Sequence, residues 1–227
     1  MKKFVKSFVF LSALTLLASC GQGKTSSSSK PSSSTPSTST PSSSTPVDST
    51  SSSTPTTDSG FRMESEYVDL TGITGSGISG SASGVNMIQS NRNASNGYYV
   101  GFSHRLGFAL TYTFNASAAD DSAKISLGLG NELGVGMEET NTSLTVSVNG
   151  SNLSYKKFTI KVEGFASYDL SATASLVAGE NTIVVTVAGE NTYCNGGTGG
   201  PLFDYVDVKS ASTLTWTPKT SNLPDDE

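Results

Sequence analysis

The stretch GFALTYTFN, residues 107–115, places a large apolar side chain at every second position, starting at Phe108. Successive side chains of a β-strand point to opposite faces, so this spacing predicts a strand with one buried face. The same period continues in KISLGLG, residues 124–130, and no stretch between residues 61 and 209 shows the apolar stripe of an amphipathic helix. The sequence therefore predicts an all-β domain.

Turn signals between the apolar runs predict how the strands connect. LTVSVNG, residues 144–150, ends in Asn149-Gly150, a pair typical of a two-residue hairpin turn, and FTIKV, residues 158–162, is the expected partner strand. The last strand is expected in LFDYVDV, residues 202–208. About eight or more short strands joined by Gly- and Asn-rich turns predict a two-sheet antiparallel β-sandwich, a jelly roll, over residues 61–209, with adaptable loops at its ends.

Residues 1–19 carry the pattern of an export signal. Three lysines precede the apolar run FVFLSALTLLA, which is too short to span a membrane and closes with LASC, residues 17–20. LASC resembles the lipobox of bacterial lipoproteins, whose cysteine is lipidated and becomes the first residue of the mature protein. The resemblance implies a lipid on Cys20 that anchors the chain at the extracellular face of a bacterial cell membrane. An ordinary cleaved signal with a chance cysteine is the alternative.

The segments on either side of the predicted domain have different compositions. Residues 20–60 follow the lipidation site and consist mostly of Ser, Thr and Pro, so they lack the apolar surface needed to offset chain entropy. We expect them to be a disordered, extended tether of about 3 Å per residue that spaces the domain from the membrane. The tail, residues 210–227, has little periodicity, and either disorder or a short extra strand is expected there.

Charge and cysteine content exclude several kinds of protein. Loss of the three signal lysines moves the net charge from −5 to −8, and no basic run remains, so we expect no binding to nucleic acid. With Cys20 lipidated, Cys194 is the only other cysteine, which leaves no intramolecular disulfide. We expect a monomer.

An acidic pair heads the first foldable stretch, MESEYVDL, residues 63–70. If this stretch is a strand, Glu64 and Glu66 share one face with the apolar residues that follow. Paired carboxylates facing a third acid provide the charged oxygen ligands that Ca²⁺ prefers, and Asp204 on the last strand is the candidate third acid, with Asp207 as runner-up. The alternative is that both glutamates are solvated at an exposed strand end.

Four pieces of sequence together resemble carbohydrate-binding module families six and thirty-five, which are β-jelly-roll domains that bind sugars. These pieces are MESEYVDL, NGYYVGF (96–102), AGENTIVVTV (178–187) and FDYVDV (203–208). The resemblance spans residues 61–209, although GNELGVGMEETNTS (130–143) is longer than the family usually carries. It implies a structural calcium held by Glu64, Glu66 and Asp204.

The resemblance also implies a sugar site. Such a site needs a flat aromatic face for the C–H side of a pyranose and amides for its hydroxyl groups. The aromatic residues would be Tyr98 or Tyr99, of which strand alternation sends only one inward, together with Tyr168. The amide would be Asn195, with Asn191 and Tyr193 of the same loop in reserve.

These features predict a lipid-anchored surface protein whose sandwich holds a polysaccharide or host glycan without catalysis. A surface adhesin for a protein partner is the second hypothesis, favoured if Tyr98, Tyr99 and Tyr168 are all buried. A small glycan-acting enzyme is the third, because carboxylates are spread over many parts of the chain.

Overall fold

The computed structural model describes residues 60–78, 80–131, 134–162, 164–191 and 199–223. The signal segment, Cys20, the tether up to residue 59, Tyr193, Cys194 and Asn195 lie outside these ranges. No helix within them is long and apolar enough to cross a membrane.

Antiparallel strands dominate the described residues, and their bounds are as follows: β1 Phe61–Glu64, β2 Thr74–Gly77, β3 Gly80–Ser83, β4 Ile88–Ser90, β5 Tyr98–Val100, β6 Ala109–Ala116, β7 Asp120–Asn131, β8 Met137–Glu139, β9 Leu144–Val148, β10 Ser151–Asn152, β11 Phe158–Ile160, β12 Gly164–Leu176, β13 Gly179–Val187, β14 Leu202–Lys209 and β15 Leu214–Thr215. Short 3₁₀ helices cover Ser65–Tyr67, Gly84–Met87 and Thr220–Asn222.

Two main sheets account for most of these strands. One has the order β12-β7-β14-β5-β4, with β1 also paired to β14, and the other has the order β10-β9-β13-β6-β15. Two further two-stranded sheets are separate from these: the hairpin β2-β3, and the pair β8-β11, whose strands are divided in the chain by β9 and β10. The predicted all-β, two-sheet antiparallel sandwich is confirmed.

The core lies between the two main sheets, as the period of two predicts. Along β6, Leu110, Tyr112 and Phe114 are buried and alternate with residues that face solvent. Aromatic rings join the sheets: Phe61 of β1 lies 6.3 Å from Phe114, centroid to centroid. One continuous apolar cluster therefore holds both layers together.

The hairpin turn after β9 was predicted correctly, but its partner strand was not. Asn149 and Gly150 both have positive φ angles, 50° and 79°, as the two-residue turn requires. The strand that follows is β10, two residues long, whereas β11 pairs with β8. The turn residues fix the turn alone. The length of the partner strand depends on which edges remain unpaired, and β8, inside the long stretch 130–143, offers one to β11.

The first strand is shorter than predicted. β1 pairs with β14 only from Phe61 to Glu64, and the chain then turns into the Ser65–Tyr67 helix. The prediction that Glu66 continues a strand is therefore wrong. The pairing of β1 with β14 stops next to a β-bulge in β14. There Asp204 is an extra residue, because Phe203 pairs with Leu129 of β7 and Tyr205 with the adjacent Gly128.

The tail forms the extra strand that was one of its two expected states. β15 pairs with the end of β6, and Trp216 packs against the core. Beyond it, Asn222 Nδ2 donates hydrogen bonds to the carbonyl oxygens of Glu66 and Val68, each at 2.7 Å. The end of the chain thus braces the segment that carries Glu66.

Candidate functional site

Three carboxylates reach one loop, residues 91–97, from different elements. Glu64 ends β1, Glu66 lies in the 3₁₀ helix, and Asp204 is the bulged residue of β14. The backbone N–H of Ser95 donates to both carboxylate oxygens of Asp204 at 3.1 Å, and Ser95 Oγ lies 2.5 Å from Glu64 Oε2. Asn96 Nδ2 donates to Glu66 Oε1 at 3.0 Å. The cluster is therefore organised around Ser95 and Asn96.

Burial makes this cluster electrostatically unfavourable as it stands. Glu66 is 0% exposed and Asp204 1%. Burial raises the pKa of Glu64 to about 7, against the hydrogen bond from Ser95, and the neighbouring Glu66 and Asp204 raise it further. Burial likewise raises the pKa values of Glu66 and Asp204. The salt bridges among the described residues, Arg62–Asp207, Lys157–Glu138 and Lys219–Asp69, include none of the three.

The donor chemistry of the cluster fits a hard cation. Glu66 Oε2 is buried and has no hydrogen-bond partner among the described residues, and carboxylate oxygens are the ligands that Ca²⁺ prefers. Within the described ranges, however, no three His, Cys, Asp or Glu side chains meet at the spacing of a metal-binding group. Glu64 and Asp204 do not meet directly, because the Ser95 hydroxyl lies between them. It donates to Glu64 Oε2 and lies 3.0 Å from Asp204 Oδ1.

Asp207, the runner-up third acid, belongs to a different arrangement. The Arg62 guanidinium donates two hydrogen bonds to it, both of 2.9 Å, and lies 3.6 Å from the centroid of the Tyr205 ring. Asp207 is already neutralised there, so Asp204 is the acid that joins the two glutamates.

A second apolar cluster lies apart from the core and carries the aromatic part of the site. Tyr99 of β5, Phe165 of β12, Leu202 of β14 and Ala94 pack together, and the rings of Tyr99 and Phe165 are 5.2 Å apart at 50°. Gly130 of β7 makes this possible, because a Cβ there would come within 2.5 Å of the Phe165 ring. The strand has to be bare at this point for the ring to lie over it.

A cavity of about 240 Å³ opens beside these rings. Its wall combines aromatic and amide side chains with backbone, namely Asn91, Asn93, Tyr99, Asn131, Gly164, Phe165 and Leu202. The loop that supplies two of these asparagines is held by its own bonds, since Asn91 N donates to Gly97 O at 2.8 Å and Asn93 N to Asn91 Oδ1 at 2.9 Å. Amides that both donate and accept, beside an aromatic face, suit a ligand with a C–H face and several hydroxyl groups.

The predicted sugar-site residues divide between two faces. Tyr99 lines the cavity and is 6% exposed, whereas Tyr98, by strand alternation, shares the face of the core residue Val100 and is half-exposed. Tyr168 is half-buried, its ring stacks on Phe158 at 5.1 Å, and its hydroxyl accepts a hydrogen bond from Lys161 N at 2.9 Å. Asn195 lies outside the described residues.

Sequence reasoning missed Phe165 and the three asparagines of the wall. Phe165 lies three positions before Tyr168 in β12, and an odd separation puts the two rings on opposite faces of the strand. One signal was present: the glycines of KISLGLG alternate with Leu127 and Leu129. Glycines at alternate strand positions mark a face that large side chains from neighbouring strands can cover.

Comparisons with known proteins gave likenesses of structure only. No protein-family model matches the chain, and no curated protein matches it in sequence. A family 35 carbohydrate-binding module from Cellvibrio japonicus is similar with a TM-score of 0.47 and 12% identity, covering 69% of this chain and 97% of the module. A family 35 module from Clostridium thermocellum has a TM-score of 0.45 and 18% identity, covering 66% and 99%.

A third similar structure is a β-(1,4)-mannanase from Podospora anserina that carries a family 35 module. Its TM-score is 0.47 and its identity 17%, covering 68% of this chain and 28% of the enzyme. At such scores and identities the function has to be argued from the residues of this chain.

Proposed function

We propose that the sandwich binds a glycan non-covalently in the cavity between the 91–97 loop and β12. The observation that carries this proposal is the wall itself, which places the rings of Tyr99 and Phe165 beside the amides of three asparagines. The family resemblance of the sequence points to the same class of ligand. The proposal moves the second aromatic residue from Tyr168 to Phe165 and leaves the predicted role of Asn195 as it was.

The mechanism is recognition without bond cleavage. Aromatic rings contact the apolar C–H face of a sugar, and the side-chain amides of Asn91 and Asn93 can donate to and accept from hydroxyl groups, whereas Asn131 Nδ2 already donates to Val135 O at 2.6 Å. A glycosidase would need two carboxylic acids on either side of the scissile bond. The described wall offers amides and aromatic rings, which are the groups that binding alone requires.

We extend the proposal to a structural calcium at Glu64, Glu66 and Asp204. A bound Ca²⁺ would add positive charge at these carboxylates, none of which has a salt bridge among the described residues; the Arg62 guanidinium, paired with Asp207, only partly offsets the charges of Glu64 and Asp204. The support is the partnerless Glu66 Oε2 and the raised pKa values of all three groups. Because Ser95 and Asn96 hold the carboxylates and belong to the loop that also carries Asn91 and Asn93, an ordered cluster keeps one side of the cavity in place.

The test of the binding function is a glycan array on the purified protein, followed by titration of the best ligand. Gly130→Ala should weaken that binding by about tenfold, because the new methyl group displaces the Phe165 ring by which we expect the sugar to be held. Gly134→Ala is the matched control, since no atom lies within 4 Å of its added Cβ. An array without any bound glycan, or equal affinities for the two variants, would contradict the proposal.

The membrane anchor stays a proposal based on LASC at residues 17–20. In the bacterial host, Cys20→Ala is expected to shift the protein from the membrane fraction to the soluble fraction, measured by immunoblotting after fractionation. Cys194→Ala is the control for loss of a cysteine and should leave the protein with the membrane. Mass spectrometry of the wild-type protein showing an unmodified Cys20 would overturn the lipid.

A further inference from the structure

A second, smaller cavity also has Tyr99 in its wall. Its volume is about 70 Å³, under a third of the first cavity, and both cavities have Tyr99 and Leu202 in their walls. The remaining wall consists of Gln89, Phe102 and His104, together with Ile78 and two glycines. Tyr99 Oη donates to Gln89 Oε1 at 3.3 Å, so the shared tyrosine is tied to the second cavity as well as stacked beside the first.

Phe102 has an unusual backbone conformation at this cavity. Its φ of 58° lies in the left-handed region, which residues with a side chain rarely occupy unless their surroundings impose it. The surroundings here are the β2-β3 hairpin. A Cβ on Gly75 would collide with the Phe102 carbonyl oxygen, and the Phe102 ring lies against Gly77.

Two hydrogen bonds fix the segment after Phe102 to the same hairpin. His104 N donates to Ser76 O at 2.8 Å, and Ser76 Oγ donates to His104 O at 2.9 Å. Residues 75–77 of β2 therefore receive residues 102–104 as a unit. Strained backbone conformations that the surrounding contacts hold in place are common at ligand sites, where they orient a side chain toward the ligand.

We infer that this second cavity is a subsite for the neighbouring sugar of the same glycan, so that the protein recognises at least a disaccharide across Tyr99. The inference rests on the proposed function, because it needs a first sugar in the larger cavity. Tyr99 and Leu202 line both cavities, so the two cavities are adjacent. The group that would reach Gln89, Phe102 and His104 is therefore the sugar unit linked to the one in the first cavity. Because the cavity measures only about 70 Å³, it would receive one edge of the second ring, beside Phe102.

The experiment is isothermal titration of the whole protein with a length series. The probes are mannose, galactose, xylose and glucuronic acid, each compared with its β-linked di- and trisaccharide. At least one disaccharide is expected to bind about tenfold more tightly than its monosaccharide. Phe102→Gly, which removes the ring and suits the positive φ, should abolish that gain and change monosaccharide affinity by less than about twofold.

Further variants keep the test decisive. His104→Ala removes a second side chain of the subsite if Phe102→Gly fails to fold, and Val177→Ala changes an exposed side chain that lines neither cavity. Equal affinity for mono- and disaccharides, or an equal loss for both in Phe102→Gly, overturns the subsite alone. Failure of every probe to bind the wild-type protein, together with a glycan array that shows no bound glycan, overturns the proposed function and the subsite together.

Discussion

Chelation of calcium at pH 8 is expected to lower the melting temperature of the protein by about 5–10 °C. A ligand that binds only the folded state at a hundred times its Kd stabilises that state by about 2.7 kcal/mol, and a domain of this size shifts by about 2–4 °C per kcal/mol. Without the ion, Glu64, Glu66 and Asp204 have to be charged together while largely buried. Thermal melts in calcium chloride and in EDTA measure the difference.

The size of this difference should depend on pH. The pKa of Glu64 rises from 4.5 to about 7 on folding, so the folded, metal-free protein binds more protons than the unfolded chain between those values. Its stability therefore falls as the pH rises through that window. At pH 5 the carboxyl group of Glu64 is largely protonated and repels its neighbours less, so chelation should have a smaller effect there than at pH 8.

Two substitutions test whether the calcium effect depends on the carboxylate cluster or on a nearby acid outside it. Glu66→Gln removes one buried charge and should abolish the difference between calcium and EDTA. Asp207→Asn, on the same strand as Asp204, is the matched control. Asp207 binds Arg62, so this substitution should leave the calcium effect intact. Identical melting curves with and without calcium at pH 8 would remove the metal from the proposal.

Phe165→Ala is expected to weaken glycan binding by about tenfold to a hundredfold, the range that corresponds to about 1–3 kcal/mol for the loss of a buried aromatic contact. The ring lies over Gly130 beside Tyr99, outside the main core, so its removal should cost affinity more than stability. Titration with the ligand found on the array gives the affinity, and circular dichroism confirms the fold.

Tyr168→Ala separates the two candidate aromatic platforms. Tyr168 stacks on Phe158 and packs against the core, so its loss should lower the melting temperature and leave the affinity of the remaining folded protein near that of the wild type. The reverse pattern, with affinity lost in Tyr168→Ala and kept in Phe165→Ala, would place the sugar on the other face of β12 and contradict the site proposed here.

The sequence predicted the sandwich because a strand with one buried face has an apolar residue at every second position, as from Phe108 to Phe114. The turn at Asn149-Gly150 could also be predicted from the sequence, since only a few residue pairs tolerate two positive φ angles. Strand partners such as β8 and β11 were not predictable in this way. Their pairing is decided by which edges the rest of the fold leaves open, which is a property of the assembled sheets.

The candidate site was predictable only in part for the same reason. The acids Glu64, Glu66 and Asp204 were identified, but the expected strand through Glu66 is a 3₁₀ helix, and the bulge at Asp204 has no local sequence signal. Phe165 was overlooked because the family resemblance pointed to Tyr168, three residues further along the same strand. Which of two aromatic residues on opposite faces meets Tyr99 depends on the order of the strands, and that order places β7, with Gly130, between β12 and β14.

The loop 91–97 borders both of the sites proposed above and would link binding of the glycan to binding of calcium. Asn91 and Asn93 face the glycan cavity, while Ser95 and Asn96 hold the carboxylates. Thermodynamic coupling between two sites is reciprocal, so whatever factor calcium adds to glycan affinity, the glycan adds to calcium affinity. If calcium raises glycan affinity by holding this loop in place, a protein engaged with its polysaccharide would retain calcium at concentrations where the unengaged protein releases it, and falling calcium would detach the weakest-held copies first.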